Sequence, residues 1–358
     1  MQILELQGPI LQILVLQGPV LQILELQGPV LQLLEPQGPV LQMLQYRYSV
    51  VFSGETPVLQ CRLLRRLRRY SVVFSGYLVG VCNGRVAVPN SLPSEEATVN
   101  LYKQNRITAM RIYDPNAATL RALNGTDIEL MVDVPNRELE SLNNLDAART
   151  WVQNNILYYH PGVKFRYIAV GNEVDPNSVI LVNRGYVKFV LPAMRNVQQA
   201  IEDAGLDNQI KVSTATYGGL LTPMSYPPSA GEFQSNVIEE FIRDIITFLD
   251  QNNLPMLANI YPYFAASYNM DVDLQYALFR SGPLVPDGGL MYSNLFDAML
   301  DTHYAAQARL GGSKLEIVVS ESGWPSQGDP MSPSRGDLIA TLDNAGTYYK
   351  NLIEHVKQ

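Results

Sequence analysis

Leu315-Glu316-Ile317-Val318-Val319-Ser320-Glu321-Ser322-Gly323-Trp324-Pro325 reads as a buried strand that stops at a turn. A short apolar run with β-branched residues suits a strand covered on both faces, and Gly323 and Pro325 close it. One carboxylate, Glu321, is left at the strand's C-terminal end. Active sites of parallel α/β barrels are built at that end, so Glu321 is the first candidate for chemistry.

Working outward, the same texture begins at residue 77. Strand-like runs at Tyr77–Cys82, Ala109–Tyr113, Ile128–Val134, Phe165–Val170, Ile210–Thr216, Met256–Tyr261 and Leu315–Val319 alternate with segments of helical period. The helices are predicted over Asp146–Tyr159, Tyr186–Ala204, Asn236–Asp250, Asn294–Leu310 and Leu338–Val356. Ser94 caps an earlier one, and Gly205 and Gly311 close the second and fourth. Gly80-Val81-Cys82-Asn83-Gly84 does not match a dinucleotide-binding turn, so an open doubly wound sheet is not expected. The expectation is an α/β fold, a (β/α)8 TIM barrel that is incomplete, with about seven βα units. An absent eighth strand would leave two open edges, and residues 77–358 alone are expected to be poorly soluble and of low thermal stability.

Residues 1–76 differ in kind. Residues 1–45 repeat Leu-Gln-Ile-Leu-Glu-Leu-Gln-Gly-Pro-Val with a period of ten, and Arg-Tyr-Ser-Val-Val-Phe-Ser-Gly occurs at 47–54 and again at 69–76. Gly-Pro in every repeat breaks helices and favours short extended pieces. The segment reads as a low-complexity extension rather than a folded domain, with 77–358 as the catalytic unit. Both duplicated copies are β-rich, but neither is assigned to the eighth barrel place. The first thirty residues lack a basic start and are interrupted by Gln, Gly and Pro, so no signal peptide is recognised.

Bulk properties exclude several classes. Of 358 residues 47% are hydrophobic and 17% charged, enough apolar matter for a large core. Formal net charge is −8, which argues against nucleic acid as a partner. Residues 1–76 hold four acids and six arginines, a net of +2, leaving −10 for the remainder. Two cysteines, Cys61 and Cys82, and the scattered histidines His160, His303 and His355 lack metal-ligand spacing. No metal and no cofactor are therefore expected, and no apolar run is long enough to span a membrane.

The fourth strand ends in Val170-Gly171-Asn172-Glu173, a second carboxylate at a C-terminal strand end. Strands four and seven face each other across a barrel mouth, so Glu173 and Glu321 are expected to converge. Two facing carboxylates suit glycosidic cleavage: one protonates the leaving oxygen and the other attacks the anomeric carbon, at a separation of roughly 5–5.5 Å for retention.

With Val170-Gly171-Asn172-Glu173-Val174 and Val319-Ser320-Glu321-Ser322-Gly323-Trp324-Pro325, the sequence from about residue 78 onward resembles glycoside hydrolase family 17, the plant β-1,3-glucanases. Met110-Arg111-Ile112-Tyr113-Asp114-Pro115, Tyr226-Pro227-Pro228-Ser229-Ala230-Gly231 and Leu257-Ala258-Asn259-Ile260-Tyr261-Pro262-Tyr263-Phe264 extend it. The resemblance implies retaining endo-hydrolysis of β-1,3-glucan, with Glu173 as general acid/base and Glu321 as nucleophile. Mixed β-1,3/1,4-glucan is the sibling substrate, and a silent glucan-binding or non-functional remnant is the reading from another class. Asn172 would hold the sugar 2-hydroxyl, Tyr261 and Tyr263 would line the cleft, and Phe264 and Trp324 would be platforms for sugar faces. Asn83 stands where the family has a tyrosine at the cleavage point, a loss of ring contact. The family's eighth strand, with its Phe-Asp-Glu-Asn, finds no match before Gln358. The resemblance further implies a monomer acting outside the cell or in the vacuole, where the sequon Asn124-Gly125-Thr126 would matter.

Overall fold

The computed structural model describes residues 3–4, 13–14, 48–53, 78–84, 93–328 and 334–357. Seven parallel strands form one sheet: β1 Leu78–Asn83, β2 Ala109–Ile112, β3 Glu129–Val134, β4 Lys164–Asn172, β5 Lys211–Tyr217, β6 Met256–Asn259 and β7 Ile317–Glu321. Each pairs with its sequence neighbour, the order that βα units impose. All seven expected strands are present.

Alternation along the strands sorts the core into two layers. Met110, Ile112, Leu130, Val132, Ile168, Val170, Met256, Ala258, Ile317 and Val319 belong to a large cluster shared with the helices. Cys82, Met131, Tyr167, Ala169, Ala215, Leu257 and Val318 form a separate small cluster, the barrel interior. Two residues further along this inner row the chemistry changes: Asp133 follows Met131, Asn259 follows Leu257, and Ser320 follows Val318. Together with Arg111 on β2 these are buried polar groups, set above the apolar floor at the C-terminal end of the barrel.

The helices α1 Glu95–Gln104, α2 Ala117–Leu123, α3 Leu145–Val152, α4 Val187–Asp203, α5 Arg243–Gln251, α6 Leu295–Arg309 and α7 Leu342–His355 wrap the sheet. Ser94 caps α1 by accepting from the Ala97 amide. Gly205 and Gly311 follow α4 and α6 with φ of +68° and +94°, as their positions after those helices predict. One helix expectation is corrected. The stretch 338–356 is not one helix but Arg335–Ile339 followed by α7, because the Thr341 hydroxyl caps a new start at the Asn344 amide. The short α2, capped by Asn116, was not foreseen.

The eighth place is not empty. Tyr48–Ser53 pairs along its whole length with β1, antiparallel, from Tyr48 opposite Asn83 to Ser53 opposite Leu78. Its Cα trace also comes within 8 Å of β7. The expectation that neither duplicated copy fills this place therefore fails for the first copy. An antiparallel partner needs only a reversing connection, not the crossover that a parallel eighth strand would need. Apart from Ile3–Leu4 paired with Ile13–Leu14, the ten-residue repeats, residues 54–68 and the second copy at 69–76 lie outside the described residues.

Candidate active site

The first carboxylate is set by an unusual backbone. β4 ends with Gly171 at φ +79° and Glu173 at φ +50°, the left-handed region in both cases. For Glu173 this costs on the order of 1–3 kcal/mol, so surrounding bonds must hold it. They do: the Glu173 amide donates to Ala215 O (2.9 Å), and Asn183 Nδ2 donates to Glu173 O (3.2 Å). Asn136 grips Asn172 by two bonds, donating to its carbonyl (2.9 Å) and accepting from its amide (2.8 Å). The result turns the half-buried Glu173 side chain into the mouth, where its Oε1 accepts from Asn259 Nδ2 (2.8 Å).

Glu321 ends β7 after an irregularity in the pairing with β6 between Val319 and Glu321. Both of its oxygens are held. Arg111 Nη1 donates to Oε1 (2.9 Å), and the Tyr261 hydroxyl donates to Oε2 (2.6 Å). Arg111 is the hub of the mouth. It is fully buried, its fork grips Asp133 through Nε (3.0 Å) and Nη2 (2.6 Å), and Nη2 also donates to Asn172 Oδ1 (3.0 Å). Its Cζ lies over the Tyr113 ring, 4.7 Å from the centroid.

These bonds orient the amides. Arg111 can only donate, so the Asn172 oxygen must face it, which leaves Asn172 Nδ2 as the donor for the cleft. Asn259 accepts from Ser320 Oγ (2.7 Å) and donates to Glu173 and to Asn172 (3.2 Å). One guanidinium serves two buried carboxylates. Asp133 is accordingly pushed up to about 6, chiefly by burial, with Arg111 opposing and Glu321 adding. Burial likewise raises the Cys82 thiol well above its usual range, and that cysteine is a free thiol beside Ser320 O.

The sequence candidates separate into two groups. Glu173, Glu321, Asn172 and Tyr261 meet in one network. Phe264 stands at its edge, 5.3 Å from Tyr261 between ring centroids. Trp324 is not a platform at the surface: it is 2% exposed, and its Nε1 donates to Ile339 O (2.9 Å). Half-buried Tyr263 packs on it edge-on at 5.3 Å. Large aromatics give more by burying area than by lining a cleft, and Trp324 takes that course. Asn83 ends β1 with a buried Nδ2 that has no hydrogen-bond partner among the described residues. Arg111, Asp133 and Asn259 were not singled out as site residues from sequence. The signal was present as charged or amide residues at inward positions of otherwise apolar strands. Among the described residues no group of acids, histidines and cysteines is arranged to hold a metal ion, and no helix is long and apolar enough to cross a membrane.

Comparison with known proteins gives the chain's relatives. Residues 79–358 match the model for glycosyl hydrolases family 17. The chain is 56% identical over 292 residues to a Vitis vinifera protein named glucan endo-1,3-beta-glucosidase, covering 80% of each. It is 50% identical over 280 residues to a Nicotiana tabacum protein of the same name, covering 78% of this chain and 74% of that one. Among solved structures it is similar to a β-1,3-glucanase and allergen of Cryptomeria japonica pollen, with a TM-score of 0.71 and 42% identity over 77% of this chain and 82% of that one.

Proposed function

The chain belongs to glycosyl hydrolase family 17, and on that premise we propose that it hydrolyses internal β-1,3-glucosidic bonds of β-glucans with retention, using Glu321 as nucleophile and Glu173 as general acid/base. One observation carries the assignment of roles. Both carboxylates hang on a single buried network, Glu173 on Asn259 and Glu321 on Arg111, with Asn172 bonded to both supports.

In the first half-reaction Glu321 attacks the anomeric carbon while Glu173 gives its proton to the departing glycosidic oxygen. In the second, Glu173 takes a proton from water as that water attacks the glycosyl ester on Glu321, and the free carboxylate returns. Arg111 and Tyr261 keep one oxygen each of Glu321 fixed, which supports attack without a search of rotamers. Asn172 Nδ2 donates to the sugar 2-hydroxyl, a contact that strengthens in the transition state. Phe264, exposed at the rim, offers a ring to a sugar face.

The catalytic unit we propose spans 77–358, in line with the extent of the family match, and is joined by Tyr48–Ser53 in its eighth place, with the rest of 1–76 as an appended segment. We propose that it works as a monomer. Its place of action is the apoplast or the vacuole, a reading supported by an exposed sequon asparagine, Asn124, in the turn after α2.

Hydrolysis of a soluble β-1,3-glucan followed by NMR tests the proposal. The parent should release reducing ends first seen as the β-anomer, Glu321→Ala should release none above background, and Glu173→Ala should be slower by about 10²–10⁴-fold. Equal, near-zero release by parent and Glu321→Ala would sink it, as would first appearance of the α-anomer. Activity confined to mixed-linkage glucan would move the substrate to that sibling.

A further inference from the structure

The two carboxylates are held in different ways. Glu321 is fixed directly, by a bond to each of its oxygens. Glu173 stands on a backbone in the left-handed region, so the chain around it must fix where its side chain points. The tripeptide Glu173–Asp175 is tied to β5 at both ends. At the first end the Glu173 amide donates to Ala215 O (2.9 Å). At the other, the hydroxyl of Tyr217, the last residue of β5, donates to Asp175 Oδ2 (2.6 Å). Between them Val174 is buried in the main core.

Asp175 is the knot of this turn. It is only 5% exposed, and a carboxylate is taken out of water at a cost that its partners must offset. Its Oδ1 accepts from the Asn177 amide (2.7 Å), which closes the turn. Its own amide donates to Asn183 Oδ1 (2.9 Å), and Nδ2 of the same asparagine donates to Glu173 O (3.2 Å), a clasp across Val174. Burial pushes the Tyr217 hydroxyl well above its usual range, and the Asp175 and Glu173 carboxylates add to the rise. The hydroxyl therefore keeps its proton and serves Asp175 as a donor. Its ring lies so close to the following turn that a Cβ on Gly219 would fall 2.4 Å from it.

We propose that Tyr217 and Asp175 are a positioning pair for the general acid, aiming Glu173 at the departing glycosidic oxygen by fixing the turn that follows it. The inference rests on the reading of Glu173 as acid/base. It gives that residue the counterpart of what Arg111 and Tyr261 do for Glu321. The pair acts through Glu173, so its effect falls on one step. In that step the bond from the anomeric carbon to the leaving oxygen breaks, the bond to Glu321 forms, and the Glu173 proton passes to the leaving oxygen. A glucosyl leaving group needs that proton, because an alkoxide departs poorly. A dinitrophenolate departs without it. A pair that were only a strut would slow both leaving groups alike.

The leaving group therefore reads the pair. Steady-state kcat/KM, which reports the first half-reaction, is compared between a soluble β-1,3-glucan and dinitrophenyl β-laminaribioside. Tyr217→Phe and Asp175→Asn should each lower it about tenfold on the glucan, part of the roughly 10²–10⁴-fold that a general acid supplies. On the aryl glycoside each should change it by less than about twofold. The two substitutions together should lose no more than either alone, since both cut one connection. If Asp175→Asn does not fold, Tyr217→Phe decides by itself. Glu173→Ala is the reference: it should lose more than the pair on the glucan and still spare the aryl glycoside. With that reference intact, parent-like glucan kinetics in Tyr217→Phe, an equal loss on both substrates, or additive losses in the double variant overturns the pair alone. A Glu173→Ala protein that loses both substrates equally, or a parent that cleaves neither, overturns the acid/base reading and the pair with it.

Discussion

At the scale of single residues, one buried guanidinium organises the mouth. Arg111 spends its fork on Asp133 and still reaches Glu321 and Asn172. A lysine there keeps the charge but has no fork, so it cannot hold all three partners at once. Arg111→Lys should therefore lower kcat about 100-fold with KM little changed, because a carboxylate misplaced by an ångström costs about that much. Steady-state kinetics with circular dichroism as a check on folding would measure it; an unchanged kcat would show that Tyr261 alone positions Glu321. A second residue reports on pH. Asp301 on α6 accepts from the Tyr292 hydroxyl (2.7 Å), its other oxygen is buried without a partner among the described residues, and burial pushes its carboxyl up to about 6. The folded chain then holds a proton there that the unfolded chain releases near pH 4, so this group's contribution to stability falls as pH rises from about 4 to 6. Asp301→Asn removes that dependence. Melting temperatures of parent and variant across this range should shift in the variant's favour as pH rises, then run parallel above it. A constant difference would contradict the assignment.

At the scale of elements, the seven strands were legible because each is a short apolar run closed by Gly, Pro or Asn. The barrel direction made their C-terminal ends the place to look, and Glu173 and Glu321 were found there. What stayed hidden has a common cause. Arg111 in Met110-Arg111-Ile112 reads as a solvated charge, since a charge in a strand is usually an outward one. Only the register of β2 between β1 and β3 puts it inside, facing Asp133. Trp324 misled in the opposite sense, because a Trp beside a catalytic Glu suggests a sugar face until α7 is seen to cover it with Tyr348 at 5.5 Å. The end of β4 offers the test at this scale. A Cβ on Gly171 would sit 3.2 Å from Leu139 Cδ1 and 3.3 Å from Asn136 Oδ1, in a backbone region that alanine resists. Asn136 is the residue that clamps Asn172, so relief of that contact would disturb the site. Gly171→Ala should cost about 1–3 kcal/mol of stability and reduce kcat as well. Denaturant unfolding and kinetics on one preparation would show whether the two losses travel together; stability lost with full activity would mean the turn adapts elsewhere.

At the scale of the whole molecule, the open question of a seven-stranded sheet is what becomes of its two edges. β1 and β7 would each present unpaired backbone groups, an aggregation hazard and a break in the wall that carries Glu321. The chain answers with Tyr48–Ser53, the first of two β-rich copies that the sequence alone did not assign to this place. Six residues pair with β1, and the strand's far side comes close to β7 without a ladder between them. Sequence could not disclose this, because the same octapeptide occurs twice and only three-dimensional pairing distinguishes the copies. The identity of the copies supplies a built-in control. Successive amides of a strand point to opposite sides, so replacing both Val50 and Val51 by proline must remove one donor facing β1, whatever the exact ladder. Val50→Pro with Val51→Pro should lower the melting temperature of the full chain and increase its aggregation, measured by calorimetry and light scattering. The matching pair, Val72→Pro with Val73→Pro, should have little effect. A loss caused by the second pair and not the first would transfer the eighth place to the other copy. No loss from either would mean that the seven parallel strands hold Glu321 without an eighth.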